Sequence, residues 1–342
     1  MVMPVVVIAH DEVRGLLPMP ECIDVMADAL RAYSGRECTV PLRSIVWLPD
    51  RTGGLGLMPG ILVSAGQPAN HALGLKIVTV FPKNEGTAYE SHQGAVLLFD
   101  PDNGRLLSII DGCEITTIRT AAVSGLATRL LARADATTLA ILGTGTQARS
   151  HIEAMLAVRP ITSIRIWGRD PARAEAFVRQ ASARHGVAAE AAATAEQAVR
   201  GADIICTVTA AREPILNGQW LEPGTHVNAV GACIPVAREL DTEAVRRSRL
   251  FVDSRESAMN EAGDLLIPMR AGVIDESHIV GELGEVLLGR IEGCRGDDEI
   301  TLFKSLGLAV EDLAAARHIL GKARLSQRGI EVTIGALRHE AP

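Results

Sequence analysis

The sequence predicts an α/β protein in which a doubly wound parallel sheet is inserted into a second, α+β domain. Three observations carry that expectation. From about residue 115 onward, strand-length apolar runs alternate with helical stretches: TLAILG, SIRIWG, ADIICTVT, THVNAVG and RLFVD are the strands. Such alternation builds a parallel sheet covered by helices. Before that point, short strands follow one another with turn residues between them, the pattern of an antiparallel or mixed sheet. Finally, the 342 residues are 47% hydrophobic but only 3% aromatic. The core is therefore aliphatic and, at about 150 residues per domain, large enough for roughly two domains.

Taken in order, VVVIA at 5–9 reads as a strand, and Pro20–Ser34 reads as a helix with Ile23, Met26, Ala27 and Leu30 on one face. PLRSIVWLP, GLGLMPGIL, ALGLKIVTVF and GAVLLFD read as strands, separated by turn clusters such as DRTGG and PKNEG. A long helix, ITTIRTAAVSGLATRLLAR, leads into the alternating region. The helix within SLGLAVEDLAAARHILGKARLSQRG is expected to return to the first domain. The expected boundaries are 1–117 plus 308–342 for the outer domain and 118–307 for the inserted one. In the tail after about Lys322, EVTIGAL is either an extra strand or a disordered end.

Composition excludes several classes. The net charge, 34 − 41 = −7, comes without a basic patch, which speaks against a nucleic-acid partner. No apolar run approaches the ~20 residues needed to span a bilayer, and MVMPVVVIAHDEVR lacks the basic start of a signal peptide. Six cysteines without a CxxC pair argue against a disulfide frame and a zinc site, so no metal is expected. The expectation is a soluble cytoplasmic protein.

Gly143-Thr144-Gly145-Thr146-Gln147-Ala148 follows an apolar strand and opens a helix. This G-x-G-x-x-A pattern is the fingerprint of a Rossmann-type dinucleotide domain. The first glycine makes the tight turn, the second admits a pyrophosphate, and a small third residue packs helix on strand. The phosphates then meet the helix N-terminus. An acid about 20 residues further on would hold an NADH ribose, whereas an arginine accommodates the 2′-phosphate of NADPH. That slot holds Gly168, followed by Arg169 and Asp170. NADPH is therefore expected over NADH, with Asp170 left either to cap the next helix or to hold an NADH ribose.

With the fingerprint placed, further segments resemble the ornithine cyclodeaminase/mu-crystallin family. They are RTAAVSGLATRLLAR, ILGTGTQARSHIEAM, GADIICTVT, VNAVGA, GELGEV and FKSLGLAVEDLAAA, with LGLMPG and SHQGAVLLFD in the first domain. The resemblance spans roughly residues 4–320. It implies hydride exchange at the α-carbon of an amino or imino acid. It also implies a homodimer pairing its N-terminal sheets, and an active site between the substrate and Rossmann domains.

The resemblance also suggests roles. Arg43 and Arg119 fall where the family places its carboxylate-binding arginines, a task suited to the planar guanidinium fork. Lys76 falls where it places a lysine facing the substrate. A desolvated lysine there can exchange protons near neutrality, and the alternative is the outward side of an edge strand. Met58 and Gly307 join them as substrate contacts. His92 is either a substrate contact or a core or dimer-interface histidine. Thr120, Gly143, Thr144, Gly145, Thr146, Gln147, Ala148, Arg169, Thr207, Thr209, Val230, Gly231 and Ser305 are the expected cofactor residues.

Two positions depart from the cyclodeaminase pattern. The acids that serve ring closure with loss of ammonia are replaced by Gly56 and Cys233. Neither relays a proton as a carboxylate does, and simple imine reduction needs neither. Cys233 as a catalytic thiol has no histidine placed by motif to activate it, and a buried cysteine is usually an apolar filler. The expected function is an NAD(P)H-dependent reductase of 2-imino acids (ketimines), cyclic or formed from a 2-oxo acid and an amine, giving L-amino acids. Two other readings stay open: a cyclodeaminase with recycled NAD, and a non-catalytic, NADPH-gated small-molecule-binding protein.

Overall fold

The computed structural model describes residues 4–63, 71–84 and 86–335. Strand β1 (Val5–Ile8) is followed by helices α1 (His10–Leu16) and α2 (Met19–Ser34). Helix α2 buries Cys22, Ile23, Met26, Ala27 and Leu30, the stripe expected of its sequence. Helix α1 escapes a reading by periodicity because its seven residues bury only Val13 and Leu16. Strands β2 (Cys38–Thr39), β3 (Ser44–Trp47), β4 (Gly54–Leu62), β5 (Ala72–Val80), β6 (His92–Phe99) and β7 (Leu106–Asp111) come next. Arg43 lies just before β3 and not within a strand. Alternating burial sets Gly56, Met58 and Gly60 of β4, and Ala72, Gly74 and Lys76 of β5, on a covered face.

Helix α3 (Gly112–Leu131) carries the chain onward. Two compact units result: Met1–Arg119 with Leu308–Pro342, and Thr120–Gly307.

The inserted unit alternates β8 (Thr138–Leu142), α4 (Thr146–Val158), β9 (Ser163–Trp167), α5 (Pro171–His185), β10 (Ala188–Ala191), α6 (Ala195–Val199) and β11 (Ile204–Thr207). It continues through β12 (His226–Ala229), α7 (Thr242–Arg247), β13 (Arg249–Val252), α8 (Arg255–Glu261), α9 (Gly263–Arg270), β14 (Ile279–Glu282), α10 (Leu283–Leu287) and β15 (Thr301–Lys304). Its sheet runs β10-β9-β8-β11-β12-β15-β13-β14 with every ladder parallel. The chain winds outward from β8 in both directions. This is the Rossmann-type doubly wound sheet, with its strand order reversing between β8 and β11, where such sheets bind ligands. Strands β10, β14 and β15 are short and hard to read: AAEA has no β-branched residue, and IVGE is broken by glycine.

Helix α11 (Ala309–Ser326) and strand β16 (Ile330–Val332) rejoin the first unit. There β16 pairs antiparallel with β1, closing the order β16-β1-β7-β6-β5-β4-β2, while β3 pairs with β4. Only β1 with β7 is parallel, so the sheet is mixed, as expected. Of EVTIGAL, Glu331 and Val332 form the extra strand, and Ala336 and Leu337 lie outside the described residues. Helix α11 packs on β4, β5 and β6. It comes close because two strand positions lack a side chain. A Cβ at Gly74 would sit 2.6 Å from Leu313 Cδ2 and 2.4 Å from the Leu97 carbonyl oxygen, and one at Gly60 would sit 3.2 Å from Leu313 Cδ1. Glycine thus lowers α11 onto the face that carries Lys76.

Candidate active site

Lys76 occupies the middle of β5, opposite Met58 of β4 and Val96 of β6. Strand β5 is interior, so the edge-strand alternative does not hold, and Lys76 is only 2% exposed. A buried ammonium must be paired, and the partner comes from α11: Nζ lies 3.0 Å from Asp312 Oδ1. The same oxygen accepts Arg119 Nε at 2.9 Å, while Arg119 Nη1 donates to Glu311 Oε2 at 2.7 Å. Glu311 and Asp312 are fully buried. Two cations and two anions therefore neutralise one another out of water, in hydrogen-bonded geometry.

Burial pushes the Lys76 pKa down to about 8, with Asp312 opposing and the Arg119 and Arg43 charges adding to the fall. Burial works against the Arg119 charge too, but Asp312 and Glu311 outweigh it and keep the guanidinium charged. Arg43 is half-buried and close enough for its charge to act on Lys76. Met58 is buried on the Lys76 face, as is Gly56, where no side chain extends. His92 heads β6 with its ring on Ser91 Oγ at 3.0 Å. It keeps exposed surface, yet the surrounding protein first, and the charge of Lys76 second, lower its pKa.

In the inserted unit, Gly143 turns the chain at φ +134°. Its N–H donates to the Trp167 carbonyl at 2.8 Å, and a Cβ there would meet Val208 O at 2.8 Å. Gly145 is the N-cap of α4 and supplies no side-chain cap, and nothing lies within 4 Å of where its Cβ would be. Thr146, Gln147 and Ala148 open the helix, and Ala148 is fully buried. Open space beside Gly145, at the start of a 13-residue helix, is a cradle that fits a pyrophosphate. Gly168 makes room for Thr144, whose Cγ2 would lie 2.7 Å from a Cβ there. Arg169 is exposed, and Asp170 is committed to capping α5, accepting from Ala172 N at 3.0 Å and Arg173 N at 3.3 Å.

At the strand ends, the Thr207 hydroxyl is fully buried and donates to Glu239 Oε2 at 2.8 Å. Thr209 donates both its N–H (2.7 Å) and its hydroxyl (2.6 Å) to Glu239 Oε1. Val230 and Ser305 are buried, as is Thr120 of α3, and Gly231 N donates to Glu239 Oε2 at 2.7 Å. Gly307, at φ +81°, and Leu306 donate their N–H groups to Asp253 Oδ2 at 2.6 and 2.5 Å. Cys233 Sγ lies against the Val230 carbonyl at 3.4 Å. His151 and His226 are wholly buried, and burial lowers their pKa values to about 4 and about 3.

A cavity of about 320 Å³ between α4 and α5, lined by Arg149, Ile152, Phe177 and Arg184 among others, contains none of the expected site residues. Among the described residues no His, Cys, Asp and Glu cluster is placed to hold a metal, and no helix is long and apolar enough to cross a membrane.

A reading by residue type missed Glu311, Asp312, Glu239, Asp253 and Asp264. The available signal was an acidic pair inside the apolar run of AVEDLAAA, where charge is expensive to bury without a partner.

A sequence model of the ornithine cyclodeaminase/mu-crystallin family matches residues 4–327. The chain is 45% identical to the ketimine reductase mu-crystallin of Mus musculus, over 82% of this chain and 83% of that one. It is 38% identical to a Δ1-pyrroline-2-carboxylate reductase of Bacillus cereus, over 95% of this chain and 98% of the relative. Among solved structures it is similar to the Thermococcus litoralis Δ1-pyrroline-2-carboxylate reductase in complex with NADH and L-proline. The TM-score is 0.92 at 38% identity, covering 96% of this chain and 100% of that one.

Proposed function

The chain belongs to the ornithine cyclodeaminase/mu-crystallin family, and from that premise we propose that it is an NAD(P)H-dependent reductase of 2-imino acids, giving L-amino acids. One observation carries the reading: Lys76 and Arg119 share a single oxygen of buried Asp312, on a face where Gly56 offers no acid.

Arg119 and Arg43 bind the substrate carboxylate, Arg119 with its fork held by Asp312 and Glu311. Lys76, with a pKa of about 8, is protonated at neutral pH and gives its proton to the imine nitrogen. The reduced nicotinamide, when bound, supplies the hydride for the imine carbon. Met58 and Gly307 complete the substrate contacts. With glycine at 56 and cysteine at 233, ring closure with ammonia loss has no carboxylate at either place. That absence favours reduction over cyclodeamination.

The dinucleotide rests on Gly143, Thr144, Gly145, Thr146, Gln147 and Ala148. Thr120, Val230, Gly231, Ser305 and the backbone at Thr207 and Thr209 line its nicotinamide side. NADPH is the preferred form, because Arg169 is exposed just after β9 while Asp170 Oδ1 is engaged by the α5 amides. A homodimer through the first unit is supported by an exposed apolar edge of Ile45, Val46, Trp47 and Leu48. The six free cysteines suit a cytoplasmic location.

The test is a screen of cyclic imino acids, and of 2-oxo acids crossed with ammonia and methylamine, following NADH and NADPH absorbance. Oxidation with at least one imine is expected. Tight cofactor binding with every imine inert would favour the binding-protein reading.

A further inference from the structure

Four donors from two loops converge on one buried carboxylate of the inserted unit. Glu239 Oε1 accepts Thr209 N and Oγ1, at 2.7 and 2.6 Å, and Oε2 accepts Thr207 Oγ1 and Gly231 N, at 2.8 and 2.7 Å. Thr207 ends β11 and Thr209 follows it, and Gly231 follows β12, its neighbour in the sheet. In a doubly wound sheet whose pyrophosphate site is the turn after β8, the strands on one side receive the adenosine half. Here those are β9 and β10, which leaves the ends of β11, β12 and β15 for the nicotinamide. We propose that Glu239 is a positioning residue that fixes the nicotinamide end of the dinucleotide site by locking the loops after β11 and β12 to each other. The inference rests on the dinucleotide reading above.

Three features say that this carboxylate is built for the place. Its own backbone is pinned, since Glu239 N and Leu240 N donate to Asp264 Oδ1 at 2.8 and 3.0 Å. Asp264 in turn pairs with Lys304, 3.1 Å away, and Lys304 Nζ donates to the Ala229 carbonyl at the end of β12. Second, Gly231 has no room for a side chain. A Cβ would lie 2.7 Å from Glu239 Oε1 and 2.0 Å from Thr209 O, so the glycine amide comes straight onto the acid. Third, the site suits a carboxyl group and not a carboxamide. The amides of Thr209 and Gly231 bind different oxygens and can only donate, so a carboxamide must leave one of them facing its NH₂ group. Burial, with the Asp264 charge beside it, raises the Glu239 pKa, while the hydrogen bonds from Thr209 and the Lys304 charge work against that rise.

The test compares wild type and Glu239→Gln in full-length protein, with two ligands: NADPH, and the adenosine-side fragment 2′-phospho-ADP-ribose. The variant is expected to bind NADPH at least tenfold more weakly and the fragment within twofold of wild type. Its kcat should fall with an increased isotope effect from 4-deuterated NADPH, while the imine KM stays within about twofold. Glu239→Asp keeps the charge but not the reach, so it should fall between the two. Equal loss of both ligands, unchanged NADPH binding, or failure of both variants to fold assigns Glu239 to stability alone and overturns the proposal. Wild type that binds neither of these ligands, nor NADH, overturns the dinucleotide reading itself, which separates the two failures.

Discussion

Asp312→Asn is the perturbation that reads the candidate site most clearly. Asp312 Oδ1 lies 3.0 Å from Lys76 Nζ and 2.9 Å from Arg119 Nε, all out of water. At an effective dielectric of about 20, unit charges at that separation attract by roughly 5 kcal/mol. This corresponds to roughly 4 pH units at about 1.4 kcal/mol each. Glu311 remains in the variant, so the expected shift is smaller, about one to two units. The direction is set by what is left. Burial, Arg119 and Arg43 all push the Lys76 pKa down, and Asp312 holds it up, at about 8. Without that charge the ammonium gives up its proton sooner. If Lys76 protonates the imine, the alkaline limb of kcat moves from near pH 8 to about pH 6–7, with near-normal turnover recovered in acid. Stability should fall by about 3–5 kcal/mol, the usual effect of leaving buried charge uncompensated. The assay is kcat against pH with a cyclic imine, alongside thermal melts of the same preparation. An alkaline limb that stays at the wild-type pH, with activity lowered equally at every pH, would refute the role given to Lys76.

Acid should weaken the fold through His151 and His226, both buried with pKa values depressed to about 4 and about 3. The unfolded chain binds these protons below about pH 6.5, so their contribution is complete above that pH and is lost toward pH 4. The slope approaches 2.7 kcal/mol per pH unit for two protons, and denaturant melts between pH 7 and pH 4.5 measure it. Gly74→Ala should destabilise the first unit by about 1–3 kcal/mol through overpacking against Leu313 and the Leu97 carbonyl; chemical denaturation reads this, and a neutral result contradicts the packing described. Arg169→Ala should raise the KM for NADPH about tenfold or more and leave that for NADH nearly unchanged; parallel changes in both would remove Arg169 from the 2′-phosphate. Val46→Asp should shift a dimer toward monomer in sedimentation, given the exposed apolar edge at 45–48.

The inserted sheet was legible because its apolar strands and glycine turn are local patterns. TLAILG, the turn at Gly143 and the helix after it lie within twenty residues of one another. The short strands β10, β14 and β15 were not, because AAEA and IVGE take their strand conformation from parallel neighbours far away in sequence. The same distance divides the site. Arg43, Lys76 and Arg119 could be named from motifs, but Asp312 lies 236 residues from Lys76, and no local period links them. Its carboxylate reaches Lys76 because Gly60 and Gly74 let α11 descend onto the sheet, which only packing reveals. Thr207 shows the same. Its place at a strand end is a local cue, but the partner of its hydroxyl, Glu239, lies 32 residues on and no local pattern points to it.

Imine reduction with a consumed hydride donor is read out by incubating the purified protein with Δ1-pyrroline-2-carboxylate and NADPH and counting products. One L-proline is expected per NADPH oxidised, with no ammonia released. Proline and ammonia formed instead from ornithine with catalytic NAD⁺, and no NADPH oxidised with any imine, would contradict it.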